Sequence, residues 1–196
     1  MFFLVDFIFF MNISKSNKIY QKGFIMGEIA QKIVKINKDE LLKTLNEAFA
    51  EEWLAYYQYW LGAKVAVGIM RASIIKEFEE HAEEELKHAN WIADRIIELG
   101  GVPLSSPDDW TKTAKCKYNA PTDEYIVTLL KQNLEAERCA ISRYQRICDI
   151  CFGKDYETFR ISQKILKEEI DHEQELEDFL ADIKSQTDHN FKVNID

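Results

Sequence analysis

Four stretches of this chain carry apolar residues spaced alternately by three and four, and a glutamate interrupts every one of the four stripes. That spacing sets one side chain per turn on a single face of an α-helix. The first stripe runs Leu42, Leu45, Phe49, Glu52, Tyr56, Tyr59, Ala63 and the second Phe78, Ala82, Glu85, Ala89, Ile92, Ile96, Leu99. The third runs Val127, Leu130, Leu134, Glu137, Ile141, Tyr144, Cys148, Cys151 and the fourth Ile165, Glu169, His172, Leu176, Phe179, Ile183. Four amphipathic helices must bury these faces against one another, so the fold class is all-α, a four-helix bundle.

The breaks set the connectivity. Gly68 separates the first two stripes, Gly100, Gly101 and Pro103 end the second, and Gly153 lies between the last two. Residues 100–121, with three prolines, are too long for a hairpin and long enough to run the length of a bundle. This long crossover predicts that helices two and three are parallel. Thr122 or Asp123 is expected to cap the third helix and Asp155 the fourth. With 196 residues, the chain has room for one domain. That domain is expected over residues 26–196. The opening MFFLVDFIFFM is too short to span a bilayer and lacks a basic leader, so residues 1–25 read as an appendage outside the fold and no membrane association is expected.

A charged carboxylate on a buried stripe costs several kcal/mol unless it is paired or bound to a cation, and no Lys or Arg lies on these stripes. Glu85 and Glu169 are each followed three residues later by a histidine, His88 and His172, so that carboxylate and imidazole share one helix face. One Glu from each of two helices, with Glu-x-x-His from each of the other two, is a ligand set for two metal ions. The halves repeat each other: 33 residues separate Glu52 from Glu85 and 32 separate Glu137 from Glu169, and Tyr59 and Tyr144 stand seven residues after the single glutamates. The repeat selects among neighbouring glutamates, because Glu51 and Glu135 have Gln58 and Ser142 at that position and Glu84 and Glu168 lack a histidine at +3.

Carboxylates with one imidazole per ion suit Fe(II) or Mn(II), with iron preferred, whereas zinc more often recruits thiolates. Glu52 and Glu137 are the expected terminal ligands, Glu85 and Glu169 the bridges, and His88 and His172 supply one nitrogen to each ion. Tyr59 and Tyr144 stand either as hydrogen-bond partners of those ligands or as aromatic core filling. His81 reads as structural and His189 as part of the tail.

The formal charge of −9 lacks the basic excess that phosphate neutralisation needs, so strong DNA binding is not expected. Four cysteines without a secreted disulfide framework place the chain by default in a reducing, cytoplasmic compartment, and the CxxC of Cys148 and Cys151 falls late in a helical stretch, where a redox motif is not expected.

The segments EEWLAYYQYW, EELKHANWIADRIIELGG, NLEAERCAISRY and KEEIDHEQELEDFL resemble the bacterioferritin-like branch of the ferritin superfamily, over about residues 38–184. Closest in pattern are the Dps-like ferritins called thioferritins. The resemblance implies a ferritin-like bundle in which the residues matching Glu52, Glu85, His88, Glu137, Glu169 and His172 hold two irons. It further implies Fe(II) oxidation by H2O2 or O2, mineral storage and protection against oxidative stress. Leu86 stands where bacterioferritins carry a haem-ligating Met, so no haem is expected, and the four-cysteine module of rubrerythrins is absent. Glu80 and Glu84 fall where bacterioferritins place an inner-surface iron site, although solvated helix face is the preferred reading for both. Thioferritins carry a cysteine pair near the di-iron centre, and this resemblance pairs Cys116 with Cys139, leaving Cys148 and Cys151 as small core residues. The chain after Leu180 shows no amphipathic stripe long enough for the fifth helix of larger shells, so a homo-oligomer of twelve is preferred to one of twenty-four. A discrete di-iron oxidase or peroxidase without storage, and a metal-free interaction bundle, are the competing functions.

Overall fold

The computed structural model describes residues 27–193, with side chains to residue 186, so the expectation for residues 1–25 lies outside the described residues. A short helix, α1 (Glu28–Ile33), precedes the long helices α2 (Lys38–Val65) and α3 (Arg71–Glu98). The crossover holds a 3-10 turn at Pro107–Asp109 and a single turn α4 (Trp110–Thr113), and α5 (Ile126–Cys151) and α6 (Tyr156–Val193) complete the bundle. The four stripes belong to α2, α3, α5 and α6, and the long helices form an all-helical bundle as expected.

Local chemistry sets each helix end. Asn37 accepts from the amides of Asp39 and Glu40 to start α2. Asp155 starts α6 as expected, its carboxylate accepting from the amide of Thr158 at 3.1 Å. The start of α5 differs: Tyr125 occupies the cap, and Asp123 instead accepts from the Tyr125 amide at 2.8 Å and the Thr128 hydroxyl at 3.1 Å. Between α2 and α3 the chain turns through Gly68 at φ +130°, where a Cβ would meet the Tyr125 ring at 2.8 Å. Only glycine satisfies both the backbone and the close approach.

That approach fixes the topology. The amide of Val67 donates to the carbonyl of Glu124 at 2.8 Å, and the amide of Ile126 to the carbonyl of Val67 at 3.0 Å. Each 28-residue hairpin helix is about 42 Å long. The crossover therefore leaves the far end of α3 and returns to the turn where α3 began, so α3 and α5 run parallel. Beyond Leu180 the tail continues α6 as one unbroken helix to Val193, and the described residues hold no separate fifth helix.

The buried faces form two apolar clusters. One gathers Leu41, Leu45, Phe49, Ile92, Ile96, Ile147 and Ile165, and the other gathers Phe78, Ile74, Ile126, Leu130, Leu134 and Leu176. Each such side chain contributes about 1.5–3 kcal/mol when fully buried. Between the two clusters all four helices present acidic side chains, and the chemistry lies there.

Candidate metal centre

Glu52, Glu85, His88, Glu137, Glu169 and His172 are all at most 2 % exposed. The structure brings them into two overlapping groups. Glu52, Glu85, His88 and Glu169 place ligand atoms within 4.8 Å of one another, as do Glu85, Glu137, Glu169 and His172. Glu85 and Glu169 are common to both groups, while Glu52 and His88 belong to one and Glu137 and His172 to the other. Two ligand bonds of roughly 2.0–2.2 Å span up to about 4.4 Å, so small side-chain adjustments bring each group onto one ion.

The imidazoles point inward through Nδ1. His88 Nδ1 lies 3.2 Å from Glu169, 3.3 Å from Glu85 and 3.5 Å from Glu52. His172 Nδ1 lies 3.5 Å from both Glu85 and Glu169 and 3.8 Å from Glu137. Outward, His88 Nε2 bonds Glu168 at 2.7 Å and His172 Nε2 bonds Glu84 at 2.8 Å. A carboxylate on the outer nitrogen fixes the tautomer that leaves Nδ1 free for a metal. Glu84 is thus not the solvated helix face read from the sequence. Glu84 and Glu168 each stand directly before the glutamate of a Glu-x-x-His, and that repetition was the signal available. Glu80 stays on the surface, paired with Lys76.

The tyrosines cross between the hairpins. Tyr59 of α2 donates to Glu137 of α5, and Tyr144 of α5 donates to Glu52 of α2. These hydroxyls hold one oxygen of each terminal carboxylate. Other ligand atoms are orphaned: Glu52 Oε2, Glu85 Oε1, both oxygens of Glu169 and His172 Nδ1 are buried without a hydrogen-bond partner. No Lys or Arg pairs with the four carboxylates among the described residues. Unpaired buried acceptors are costly, and a donor set of four carboxylates and two imidazoles fits a pair of divalent ions.

Protons take up the charge where no ion does. Burial holds the Glu52 and Glu137 carboxyls well above the usual carboxylate range. Burial opposes ionisation of Glu85 and Glu169 too, yet the two histidines close beside them outweigh it and pull those two downward. Burial likewise opposes charge on His88 and His172, and the surrounding carboxylates override it and hold both protonated far above their ordinary range. The opposed shifts, Glu52 and Glu137 upward and Glu85 and Glu169 downward beside raised histidines, all work toward balancing charge within the cluster. Burial, then the facing glutamates, raises both tyrosines, which stay protonated as donors.

Cys116 in the crossover is bonded to Cys139 on α5, with Cα atoms 5.7 Å apart. Glu51 fixes the same segment from α2 by accepting from the amides of Lys115 at 2.6 Å and Cys116 at 3.1 Å. A cavity of about 30 Å³ lies beneath it, lined by Glu52, Glu85, Glu137, Cys116 and Tyr118. Cys148 and Cys151 are buried thiols, the latter pushed up to about 12 by burial and by Asp155. They are poor nucleophiles, as a core role requires. Among the described residues, no helix is long and apolar enough to cross a membrane.

Residues 42–185 match the ferritin-like domain family. The chain belongs to that family. Ferritin-like proteins serve iron storage and ferroxidase-type chemistry broadly, and the candidate cluster supplies carboxylate and histidine groups suited to iron. Among curated relatives, the DNA protection during starvation protein of Pyrococcus furiosus is 36% identical over 147 residues, 74% of this chain and 80% of the relative. Among solved structures, the dodecameric thioferritin of Bacteroides fragilis, a bacterioferritin-related protein, superposes with a TM-score of 0.82 at 52% identity, covering 83% of this chain and 98% of that one. Dps from Thermosynechococcus elongatus superposes at 0.70 with 19% identity over 78% and 95%, a likeness of fold alone. This ferritin-like chain therefore falls on the Dps-like side of its family.

Proposed function

We propose that the protein is a cytoplasmic ferroxidase that oxidises Fe(II) with H2O2 or O2 at the six-residue cluster and stores the ferric product in a closed homo-oligomeric shell of twelve subunits. The carrying observation is the set of buried ligand atoms without partners on Glu52, Glu85, Glu169 and His172. Two Fe(II) ions are the substrate. Glu52 and His88 hold one, Glu137 and His172 the other, and Glu85 and Glu169 serve both.

The residues around them perform recognisable tasks. Tyr59 and Tyr144 orient the terminal carboxylates, and Glu84 and Glu168 hold the imidazoles with Nδ1 inward. Binding two dications requires the cluster to release its protons, about two from the imidazoliums and about two from the carboxylic acids, so that charge balances. The cavity beneath Cys116 is large enough for one small molecule such as the oxidant. Each Fe(II) gives one electron, and the pair reduces one H2O2 to two waters with uptake of two protons.

The dodecamer is supported by the likeness to the Bacteroides fragilis thioferritin, itself described as dodecameric. Leu86 offers no ligand for haem, and a charge of −9 keeps strong DNA binding out of the reading. Native mass measurement, followed by Fe(II) with H2O2 or O2, tests the whole. The expected result is a particle of about twelve subunits that accumulates soluble ferric mineral. A stable monomer or dimer that turns Fe(II) over without mineral would favour a discrete di-iron oxidase instead.

A further inference from the structure

At the cluster the two hairpins repeat with an offset of 84 residues, Glu85 with Glu169 and His88 with His172. One neighbouring constellation breaks the repeat. Glu77, His81 and Glu175 at the His172 end correspond to Ile161, Ile165 and Trp91 at the His88 end.

The two ends differ accordingly. The Trp91 ring lies 5.6 Å from that of His88, with the ammonium groups of Lys164 at 3.9 Å and Lys87 at 5.1 Å from its centroid. That end places an indole ring and two ammonium groups where the other places a histidine and two carboxylates. At the other end the His81 ring stacks on His172 with centroids 4.0 Å apart and is 2 % exposed. His81 Nε2 lies 3.0 Å from Glu175 and 3.7 Å from Glu77, both of which reach solvent. Its other nitrogen, Nδ1, is buried with no hydrogen-bond partner. His81 also approaches the ligand atoms of Glu137 and His172 to within 4.8 Å, so one imidazole touches both the surface pair and the buried cluster. Glu77 and Glu175 face each other across α3 and α6. Neither pairs with a Lys or Arg among the described residues.

We propose that Glu77, His81 and Glu175 form a third divalent-cation site, through which ions reach the cluster from the His172 end. Two carboxylate oxygens and one imidazole nitrogen suit Fe(II), Mn(II) or Co(II). Solvent reaches both carboxylates, so a bound ion keeps several waters and is held more loosely than one in the cluster. His81 then stands where a residue linking the two would have to stand. An isoleucine suffices at the same place in the other half, where no ion passes.

The identity of the physiological ion rests on the ferroxidase reading, whereas the site itself can be tested without oxidation. Co(II) is added to the intact chain, and bound ions are counted by elemental analysis and located by anomalous diffraction. The expected result is three ions per chain in the wild type and two in the Glu77→Gln/Glu175→Gln double variant, whose near-isosteric side chains at half-buried and exposed positions leave the fold intact by circular dichroism. Two ions in both proteins, each in the cluster, would overturn the third site and leave the ferroxidase reading standing. An ion at Glu77–His81–Glu175 with an empty cluster would do the reverse. In stopped-flow mixing at limiting Fe(II), the double variant should fill the cluster about tenfold more slowly, the scale of a lost electrostatic funnel. Equal rates would refute the loading role.

Discussion

Two sets of buried carboxylates lie within a few turns of each other, and they are balanced in different ways. Glu51 receives both Nε and Nη2 of Arg143, at 2.9 and 2.8 Å, while Nη1 reaches Glu47 at 3.1 Å. At the end of the bundle, Arg95 likewise clasps Asp155 with two bonds of 2.9 Å. One residue on from Glu51 the cluster begins at Glu52, and its glutamates face histidines, two tyrosine hydroxyls and each other, with no guanidinium among the described residues. A carboxylate matched by a guanidinium is finished, and it serves to hold helices and the crossover in place. A carboxylate matched by protons can exchange them for an ion. The contrast separates structural from reactive acids better than burial does, since both sets are buried.

The largest effect should come from removing a cluster acid. Glu137→Ala is expected to slow Fe(II) oxidation by more than about hundredfold, beyond the cost usual for a residue that only orients a ligand. Its thermal unfolding should not worsen, because the deletion removes an acid whose burial is itself unfavourable. Marked destabilisation would show that Glu137 is a packing residue. Arg143→Leu should behave in the opposite sense, losing about 3–5 kcal/mol in denaturant unfolding because Glu51 is left buried without its counterion and Glu47 keeps only the exposed Lys115. A variant as stable as the parent would dissolve the distinction.

The next effect in size concerns the crossover. Cys116→Ser opens a loop of 23 residues and should cost about 3 kcal/mol of unfolding free energy. Smaller again is the response to pH. His88 and His172 are held protonated above the ordinary value of 6.5, so their stabilisation is complete below that value and is lost as pH rises above it. Glu52 and Glu137, raised above 4.5, contribute in the same direction. Stability of the ion-free protein should therefore fall as pH climbs from 6.5, while its affinity for Co(II) rises, because bound protons compete with the ion. Parallel trends in calorimetry would contradict the proton-balanced cluster. The smallest effect should be that of Tyr144→Phe, which frees one oxygen of Glu52 and is expected to slow oxidation by about tenfold.

The bundle, the parallel crossover and the gathering of all six cluster residues were legible in the sequence, because helical periodicity reports directly which face a residue occupies. The balance of the cluster was not. Arg143 and Glu51 are adjacent in sequence to the stripe residues Tyr144 and Glu52, yet they meet across 92 residues, and no periodicity states what stands opposite a given face. Glu84 and Glu168 failed the test of a histidine at +3 because each serves the histidine of the other half. His81 looked structural as a single residue, and only its comparison with Ile165 gives it weight. The start of α5 was misplaced because Asp123 bonds the amide two residues on, a local turn rather than a helix cap.

The exchange of tyrosines between hairpins has a consequence for assembly. Tyr59 steadies a carboxylate on α5, and Tyr144 one on α2, so neither hairpin carries a complete half-site. A chain whose hairpins have formed but not yet docked has helices and no chelate. Any ion the cluster takes therefore selects the docked state alone, and free-ion concentration becomes a lever on tertiary docking rather than on helix content. Ion-starved protein should open first along the seam between the hairpins, with each hairpin leaving intact.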